Sequence, residues 1–366
     1  MKKAVITLCL IILIIPVASI SSEKVDNTIE KCELPSFFSW RNKDGFDYTT
    51  PVKDQSPAPS CEAYAFCASL ETIMQYQLTE KYNPDLSEMH LFFYAGGSFE
   101  EGYVSIIDAA NYLIQYGVPD EGCNPDPHRP FDYIYESLPG WENRTVKITS
   151  WGWVDHDIDS IKTALIEYGP LIICIRLWKD FNYYLGGVYK HRWGDHTGGH
   201  VVALVGYDDS KRCWIVKNSW GKVWGVDGWF RMSYDADMFA DWYGPGTGIM
   251  YIDGVYGNLK PDVPKVDIEK PRFSHSYLYG IEFPVINKTL DIQRAVARIY
   301  GKMSVKVNAE NTNIVEFFID NESQYIDYEA PFSWVIQTTK GLHTLEVRAY
   351  NDHNISLDFT DIYVFY

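Results

Sequence analysis

The twelve residues QSPAPSCEAYAF, at positions 55–66, decide the fold and the chemistry of this chain. Apolar residues recur at helical spacing in the second half of this stretch and beyond it, and Pro59 stands just before them. The sequence therefore predicts a helix from about Cys61 to Lys81, with Ser60 as its N-cap. In the first turn of such a helix, unpaired N–H groups and the positive end of the helix dipole favour a thiolate on Cys61.

Two later segments supply partners for this sulfur. GGHVVALVGY, at 198–207, contains His200, and WIVKNSWG, at 214–221, contains Asn218. An imidazole can take the thiol proton and stabilise the thiolate as an ion pair. Asn218 can hold the ring by accepting one of its N–H groups through the side-chain oxygen, so that the other ring nitrogen faces the sulfur.

Two further side chains complete a site for acyl transfer to a thiol. Trp220 can shield the bond between His200 and Asn218 from water. The side chain of Gln55 and the backbone N–H of Cys61 can donate to the oxyanion of a tetrahedral intermediate. The sequence thus predicts a Cys–His–Asn catalytic group with an oxyanion-binding glutamine beside it.

In order and spacing, these segments resemble the papain-like cysteine proteases. His200 follows Cys61 by 139 residues, which matches the interval in that family. The resemblance runs from Leu34 to about Tyr251, and so covers about 220 residues. It implies an α+β, two-lobed fold with a helical lobe, a β-barrel-like lobe and a substrate cleft between them.

The resemblance also assigns roles to single residues. It implies that Cys61 is the nucleophile, that His200 acts as general base and then as general acid, and that Asn218 orients the imidazole. It implies Gln55 as the oxyanion donor. The residues that it places along the substrate cleft are Gly102, Tyr103, Val201 and Trp220.

One residue beside the nucleophile departs from the family pattern. Papain-like enzymes usually carry an aromatic residue there, and this chain carries Glu62. A carboxylate so close to Cys61 can oppose thiolate formation. Successive helical side chains diverge by about 100°, so Glu62 can also point away, or it can sit favourably at the helix N-terminus. The sequence leaves these alternatives open.

The cysteines do not follow the family's usual disulfide pattern. The seven are Cys9, Cys32, Cys61, Cys67, Cys123, Cys174 and Cys213. By the resemblance, Ala58 and Ser98 stand where one disulfide is usual, so that bridge is lost as a pair. Tyr94 stands where another cysteine is usual, which leaves Cys123 free or paired elsewhere, for example with Cys32.

The first 22 residues have the pattern of a secretory signal peptide. Lys2 and Lys3 precede a run of 12 residues at 4–15 that is apolar except for Thr7, and small residues follow Pro16. An uncleaved N-terminal anchor is the alternative, and both interpretations predict a secreted or cell-surface protein. Four glycosylation sequons add slight support for export, at Asn143, Asn287, Asn321 and Asn354.

The net charge of the chain and the spacing of its histidines indicate which classes of ligand it is expected to bind. The 366 residues include 32 Lys and Arg against 49 Asp and Glu, for a net charge of −17, which disfavours binding to nucleic acid or an anionic membrane. His191, His196 and His200 could suggest a zinc site, but zinc prefers tighter pairs, so no metal is predicted. No cofactor is predicted either, and the expected partners are protein or peptide substrates.

Further helices and strands are expected around these segments. A second helix is predicted from Ile158 to Tyr168, ended by Gly169 and Pro170. Buried strands are predicted at 171–177, 201–207 and 213–217.

A change of pattern predicts a second domain after residue 257. Residues 258–265 carry two prolines and little that can be buried, which predicts a linker after a protease domain at 34–257. From 266 to 366, alternating runs predict about seven short strands in a small antiparallel sandwich. This part resembles bacterial immunoglobulin-like modules, with a role as a spacer or in contact with the cell surface or substrate.

Together these features predict an exported cysteine-type peptidase that works through an acyl-enzyme. Endopeptidase action is favoured, because nothing in the sequence resembles an inserted loop that would block one end of the cleft. The alternative is a catalytically inactive, protease-like surface or adhesion protein. The intact set of Gln55, Cys61, His200 and Asn218 favours the enzyme, whereas Glu62 mildly favours the alternative.

Overall fold

The computed structural model describes residues 33–126, 136–284 and 296–365. The predicted signal peptide at 1–22, Cys9, Cys32 and the sequon at Asn287 lie outside the described residues. In the described part, the α-helices are α1 (Cys61–Leu78), α2 (Glu88–Tyr94), α3 (Ile106–Gln115) and α4 (Ile158–Tyr168). Single-turn 3-10 helices lie at Trp40–Asn42, Glu121–Cys123, Trp141–Arg144 and Lys179–Tyr183.

The strands fall into two groups along the chain. The first group is β1 (Phe37–Ser39), β2 (Val146–Lys147), β3 (Ser150–Trp153), β4 (Leu171–Trp178), β5 (Val188–Tyr189), β6 (His196–Asp208), β7 (Cys213–Lys217), β8 (Trp229–Ser233), β9 (Ile249–Asp253) and β10 (Tyr256–Gly257). The second group is β11 (Lys265–Lys270), β12 (His275–Leu278), β13 (Ile281–Pro284), β14 (Ala297–Tyr300), β15 (Ser304–Glu310), β16 (Ile314–Ile319), β17 (Glu322–Asp327), β18 (Ser333–Val335), β19 (Gly341–Tyr350) and β20 (Ile355–Phe365).

Helix α1 runs through the middle of a helical core. Phe66, Leu70 and Met74 on α1 are buried together with side chains of α2 and α3. The apolar residues at this spacing form a face that packs on its neighbours, which holds the first turn of the helix in place. This packing fixes the position of Cys61.

The ends of α1 differ from the sequence prediction. The helix ends at Leu78, because Thr79 adopts the left-handed conformation (φ 53°) that terminates helices. Ser60 occupies the N-cap position, but its hydroxyl makes no capping bond and is buried with no hydrogen-bond partner among the described residues. Ser60 is thus the N-cap residue as predicted, but it lacks the capping bond, since its backbone (φ −113°, ψ 25°) does not have the extended conformation of a capping residue.

The other elements predicted for this part of the chain are confirmed. Helix α4 covers the predicted residues, and the Asp157 carboxylate caps it by accepting from the Ser160 N–H at 2.9 Å. The three predicted buried strands are β4, β6 and β7, and β6 begins five residues earlier than predicted.

One large sheet places the residues around His200. Its strand order is β3-β9-β4-β6-β7-β8-β5, and β1 pairs with β6 off this path. The pairing of β4 with β6 is antiparallel and sets Cys174 opposite Val201 and Ile175 opposite His200. Strand β7 pairs with the other edge of β6 and ends at Lys217, next to Asn218. The sheet therefore brings 200 and 218 together across adjacent strands.

The second group of strands forms a three-stranded sheet, β11-β15-β18, and a seven-stranded sheet, β13-β12-β14-β20-β19-β16-β17. Side chains of both sheets share one core, with Trp334 from the first and Phe317 and Val347 from the second. The expectation of purely antiparallel pairing was wrong, because β14 runs parallel to both β12 and β20. Alternation with period two fixes the buried face of a strand and leaves its direction open.

Leu34–Tyr366 make up one compact unit, and the division into 34–257, 258–265 and 266–366 remains a prediction.

Arg144 links the two groups of strands. It donates to the carboxylate of Asp120, at 2.7 Å from Nε, and to the backbone oxygen of Ile355, at 2.6 Å from Nη1. Of the described helices, none is long and apolar enough to cross a bilayer.

Leu70→Ala tests how much the packing of α1 stabilises the fold. Leu70 is fully buried in the helical core, so we expect its truncation to lower the free energy of unfolding by about 2–5 kcal/mol. Urea denaturation monitored by circular dichroism measures this change. The control is Ile114→Ala on α3, where the side chain is 37% exposed and a change near 0.5 kcal/mol is expected. Equal losses in the two variants would contradict this account of the core.

Candidate active site

Cys61 is the first residue of α1 and lies against strand β6. Its sulfur accepts a hydrogen bond from the backbone N–H of Val201, the residue that follows His200. Cys174 on β4 lies close enough to interact electrostatically with the same sulfur, and both Cys174 and Val201 belong to the helical core. The bond from Val201 therefore places the start of α1 against the buried half of β6, at the residue that follows His200 in the chain.

The imidazole of His200 is held by Asn218. His200 is 4% exposed, and its Nε2 lies 2.7 Å from Asn218 Oδ1. The same oxygen accepts the backbone N–H of Ser219 at 2.8 Å, which fixes the orientation of the amide. Because an amide oxygen only accepts, Nε2 carries the ring hydrogen and Nδ1 carries the lone pair. His200 is thus in the tautomer in which Nδ1 can take a proton.

Trp220 covers this hydrogen bond. Its ring centroid lies 4.9 Å from that of His200, with the two planes tilted by 31°. Trp220 also contacts the rings of Phe181 and Trp224, at 5.5 and 5.1 Å between centroids. Trp220 is half-buried, and its role in shielding the His200–Asn218 bond from water stays a prediction.

Gln55 is anchored next to the same loop. Its Oε1 accepts from the Ser219 hydroxyl at 2.6 Å, and its backbone N–H donates to the Ser219 carbonyl at 2.9 Å. Its Nε2 donates to the carbonyl oxygen of Ala58 at 3.0 Å. An amide nitrogen has two hydrogens, and Ala58 uses one of them, so the second is the one that fits the oxyanion role.

Burial shifts the proton equilibria of the pair. It raises the pKa of the Cys61 thiol well above its usual value, with the charge of Glu62 as the next cause and the Val201 N–H acting against both. Burial also lowers the pKa of His200 to about 4, although the bond to Asn218 raises it. Both shifts favour a neutral thiol beside a neutral imidazole. The thiolate–imidazolium pair stays a prediction, and burial disfavours the charged form of each of its members.

Glu62 lies against the nucleophile instead of pointing away. Its side chain is 7% exposed and hydrogen-bonds both the Cys61 thiol and the backbone N–H of Val104. Burial raises the pKa of the Glu62 carboxyl to about 7. The contact with Val104 was missed at the sequence level, where the replacement of an aromatic residue by Glu62 was the only signal.

The four residues predicted along the substrate cleft differ in their exposure to solvent. Tyr103 is 54% exposed, and Gly102 lies in an exposed turn with φ 76°, where its N–H donates to the Ser98 carbonyl at 2.9 Å. Trp220 is half-buried. The side chain of Val201 is buried, so only its backbone reaches the nucleophile.

A buried charged network lies beneath the site and was not foreseen. Lys53 forms ion pairs with Glu71 and Glu88, at 3.3 and 2.7 Å. Lys217, next to Asn218 in the chain, donates to the Thr50 hydroxyl at 2.9 Å, and burial lowers its pKa to about 8. These bonds tie the loop of Asn218 to the segment that carries Gln55 and to α1.

The described residues contain unpaired cysteines and no cluster of metal-binding side chains. The cysteines found unpaired are Cys61, Cys67, Cys123, Cys174 and Cys213. The pairing of Cys123 with Cys32 is not tested, because Cys32 lies outside the described residues. Within 33–126, 136–284 and 296–365, no group of three or more His, Cys, Asp or Glu is arranged to hold a metal ion.

Comparison with known proteins agrees with this geometry. The family model for papain family cysteine proteases matches residues 34–243. Procathepsin L of Felis catus is 31% identical over 215 residues, which is 56% of this chain and 62% of that protein. Cathepsin B-like CP2 of Giardia intestinalis is 49% identical over 79 residues, 21% of this chain and 26% of that protein. The chain thus covers from about a quarter to about three fifths of the length of these relatives.

Solved structures are similar to part of this chain. The procathepsin L2 proteinase of the Tenebrio molitor larval midgut superposes with a TM-score of 0.50 at 23% identity, over 61% of this chain and 70% of that one. The bromelain protease from Ananas comosus, solved in complex with the E64 inhibitor, is 27% identical, with 60% of this chain and 99% of that chain covered and a TM-score of 0.49.

Substitutions of Asn218 test the His200 hydrogen bond without any assay of activity. Asn218→Asp places a carboxylate against Nε2, so we expect the pKa of His200 to rise above about 4. Asn218→Ala removes the bond that favours the protonated ring, so the pKa should fall further. NMR titration of the imidazole signals measures both changes, with the exposed His353 as a reference signal. An unchanged titration in both variants would show that Asn218 does not hold the ring.

Proposed function

This chain belongs to the papain family of cysteine proteases, and we propose on that basis that it hydrolyses peptide bonds through an acyl-enzyme on Cys61. The observation that carries this proposal is the 2.7 Å hydrogen bond between His200 Nε2 and Asn218 Oδ1. It leaves the other ring nitrogen, Nδ1, without a hydrogen and able to take a proton. A base in this state is what a neutral thiol requires.

The proposed reaction begins with proton transfer from the Cys61 thiol to His200 Nδ1. The thiolate attacks the substrate carbonyl carbon, and the carbonyl oxygen becomes an oxyanion that accepts from Gln55 Nε2 and the Cys61 backbone N–H. Collapse of this intermediate breaks the peptide C–N bond, and the imidazolium returns its proton to the leaving amine. The product that stays on the enzyme is a thioester on Cys61.

Water completes the cycle in a second half-reaction. His200 takes a proton from the water as the oxygen attacks the thioester carbonyl, and the same oxyanion donors act again. The imidazolium then protonates the departing sulfur, which restores the thiol. Asn218 keeps the ring oriented through both halves, and Trp220 keeps its bond dry.

The substrate is proposed to be a protein or peptide that lies along the exposed turn of Gly102 and Tyr103. A glycine at φ 76° leaves open space at this turn, because no atom lies within 4 Å of the Cβ that another residue would add. An extended substrate backbone can approach such a turn closely. We propose endopeptidase action, because no stretch of the sequence resembles a loop that would close one end of the cleft.

Export is proposed from the sequence of residues 1–22, with a secreted or cell-surface location for the mature protein. The strands from Lys265 onward carry no proposed catalytic group. Their immunoglobulin-like character and a contact with the cell surface remain proposals that rest on the sequence pattern.

A second function, as a non-catalytic binding protein with a protease fold, has one observation in its favour. The raised pKa of the Cys61 thiol, with burial and Glu62 as its causes, opposes formation of the nucleophile. A protein of this kind would bind peptides without turnover, so the two functions separate in a single assay.

Cys61→Ala is the test of the proposed reaction. We expect the wild-type protein to cleave a peptide library under reducing conditions and to be labelled on Cys61 by iodoacetamide, because this thiol can pass its proton to His200. The Cys61→Ala variant should lose both activities and keep its circular dichroism spectrum. Liquid chromatography with mass spectrometry measures cleavage and the site of labelling.

The control is Cys213→Ala, since Cys213 is a fully buried, unpaired cysteine on β7. This variant should keep both cleavage and Cys61 labelling. Cleavage that persists in Cys61→Ala would sink the assigned role of this residue. Binding of peptides by a wild-type protein that shows no turnover would support the non-catalytic function instead.

A further inference from the structure

The carboxyl group of Glu62 touches the sulfur that the proposed reaction uses. One hydrogen bond joins it to the Cys61 thiol and another to the Val104 N–H. Its Oε2 atom is buried and has no hydrogen-bond partner among the described residues. A carboxylate buried in this way is costly unless it is neutralised or fully hydrogen-bonded. Glu62 is therefore sensitive to protonation at the point where it meets the nucleophile.

The groups that face Glu62 do not neutralise it. Cys61 lies beside it on α1, Cys174 faces it from β4, and Tyr243 faces it from the loop before β9. Burial raises the pKa of all three groups, so they remain uncharged at neutral pH. Among the described residues, no lysine, arginine or histidine forms an ion pair with Glu62 within 4.0 Å. Its charge is set by exchange of a proton with solvent.

The acceptor of the Cys61 thiol in this structure differs from the acceptor that the proposed reaction needs. The carboxylate of Glu62 accepts it in this structure, and His200 Nδ1 is the acceptor that the reaction needs. Only transfer to the imidazole gives a thiolate that is balanced by a cation. A hydrogen bond to an ionised Glu62 keeps the hydrogen on sulfur, and the negative charge opposes thiolate formation.

We propose that Glu62 is a further catalytic residue of this site, which holds Cys61 as a thiol when ionised and releases it to His200 when protonated. The proposal rests on the function proposed above. In the first step, a proton from solvent binds to the Glu62 carboxylate. In the second, the Cys61 hydrogen moves to Nδ1, which leaves a thiolate and an imidazolium, and the new O–H of Glu62 donates to the thiolate.

This arrangement gives a definite sign to the pH dependence. The pKa of Glu62 is raised to about 7, so the carboxyl is mostly protonated at pH 6 and mostly ionised at pH 8. The reactive fraction of Cys61 should therefore fall about tenfold between pH 6 and pH 8. An ordinary thiol behaves in the opposite way, because its reactivity rises with pH as the thiolate fraction grows.

Glu62→Gln tests the proposal, since glutamine has nearly the same shape and cannot ionise. The rate of Cys61 alkylation by iodoacetamide and the kcat/KM for a peptide are measured from pH 5.5 to 8.5. The wild-type protein should show the tenfold fall in both quantities. Glu62→Gln should stay within about twofold over this range and exceed the wild-type protein about tenfold at pH 8. The matched control is Glu167→Gln on the exposed face of α4, which should follow the wild-type profile.

Val104→Pro gives an independent second variant. Proline has no N–H, so this change removes one of the three hydrogen bonds that lower the pKa of Glu62; the other two come from its own backbone N–H and from Cys61. The fall in reactivity should then move to a higher pH than in the wild-type protein. This variant tests the proposal without changing Glu62 and remains informative if Glu62→Gln does not fold.

Two results separate this proposal from the proposed function. The same fall between pH 6 and pH 8 in wild-type and Glu62→Gln proteins would overturn the role of Glu62, and peptide cleavage would still support the peptidase. Absence of peptide cleavage in every variant would overturn the peptidase. The alkylation profile would still report on Glu62, because it needs only the thiolate and no substrate.

Discussion

The hydrogen bond between His200 Nε2 and Asn218 Oδ1 is the interaction on which the proposed chemistry depends. It sets the tautomer of the ring and so decides which nitrogen can accept a proton. Much of the surrounding structure maintains this bond: strands β6 and β7 bring the two residues together, Ser219 fixes the amide, and Trp220 covers it. Without it, the basic nitrogen would have no fixed direction towards Cys61.

Burial of this site strengthens its hydrogen bonds and also raises the free energy of forming charges there. A dry environment strengthens the hydrogen bonds around His200, and the same environment disfavours every charge that the reaction must form. The pKa of Cys61 rises and that of His200 falls, so burial favours the uncharged form of each group. Glu62 adds an acidic group to this balance, and its contact with the thiol joins the state of the nucleophile to the pH of the medium.

Patterns along the sequence predicted the elements around the site well. Local periodicity predicted the start of α1 at Cys61 and the limits of α4, because each helix buries one continuous face. It also predicted the buried strand that carries His200 and the strand that ends just before Asn218. The direction of the Glu62 side chain did not follow, since one of its hydrogen-bond partners, the N–H of Val104, lies more than forty residues away. The missing cap at Ser60 and the parallel pairing of β14 likewise depend on tertiary contacts that no local pattern records.

The most direct measurement of the central claim is rapid acid quenching of the enzyme with a peptide ester, followed by mass spectrometry of the Cys61 peptide. The account predicts a transient mass increase equal to the acyl group on Cys61 in the wild-type protein. It also predicts that this adduct fails to accumulate in His200→Ala, where no base takes the thiol proton. Turnover with no acyl group on Cys61, or equal rates of acylation in the two proteins, would contradict it.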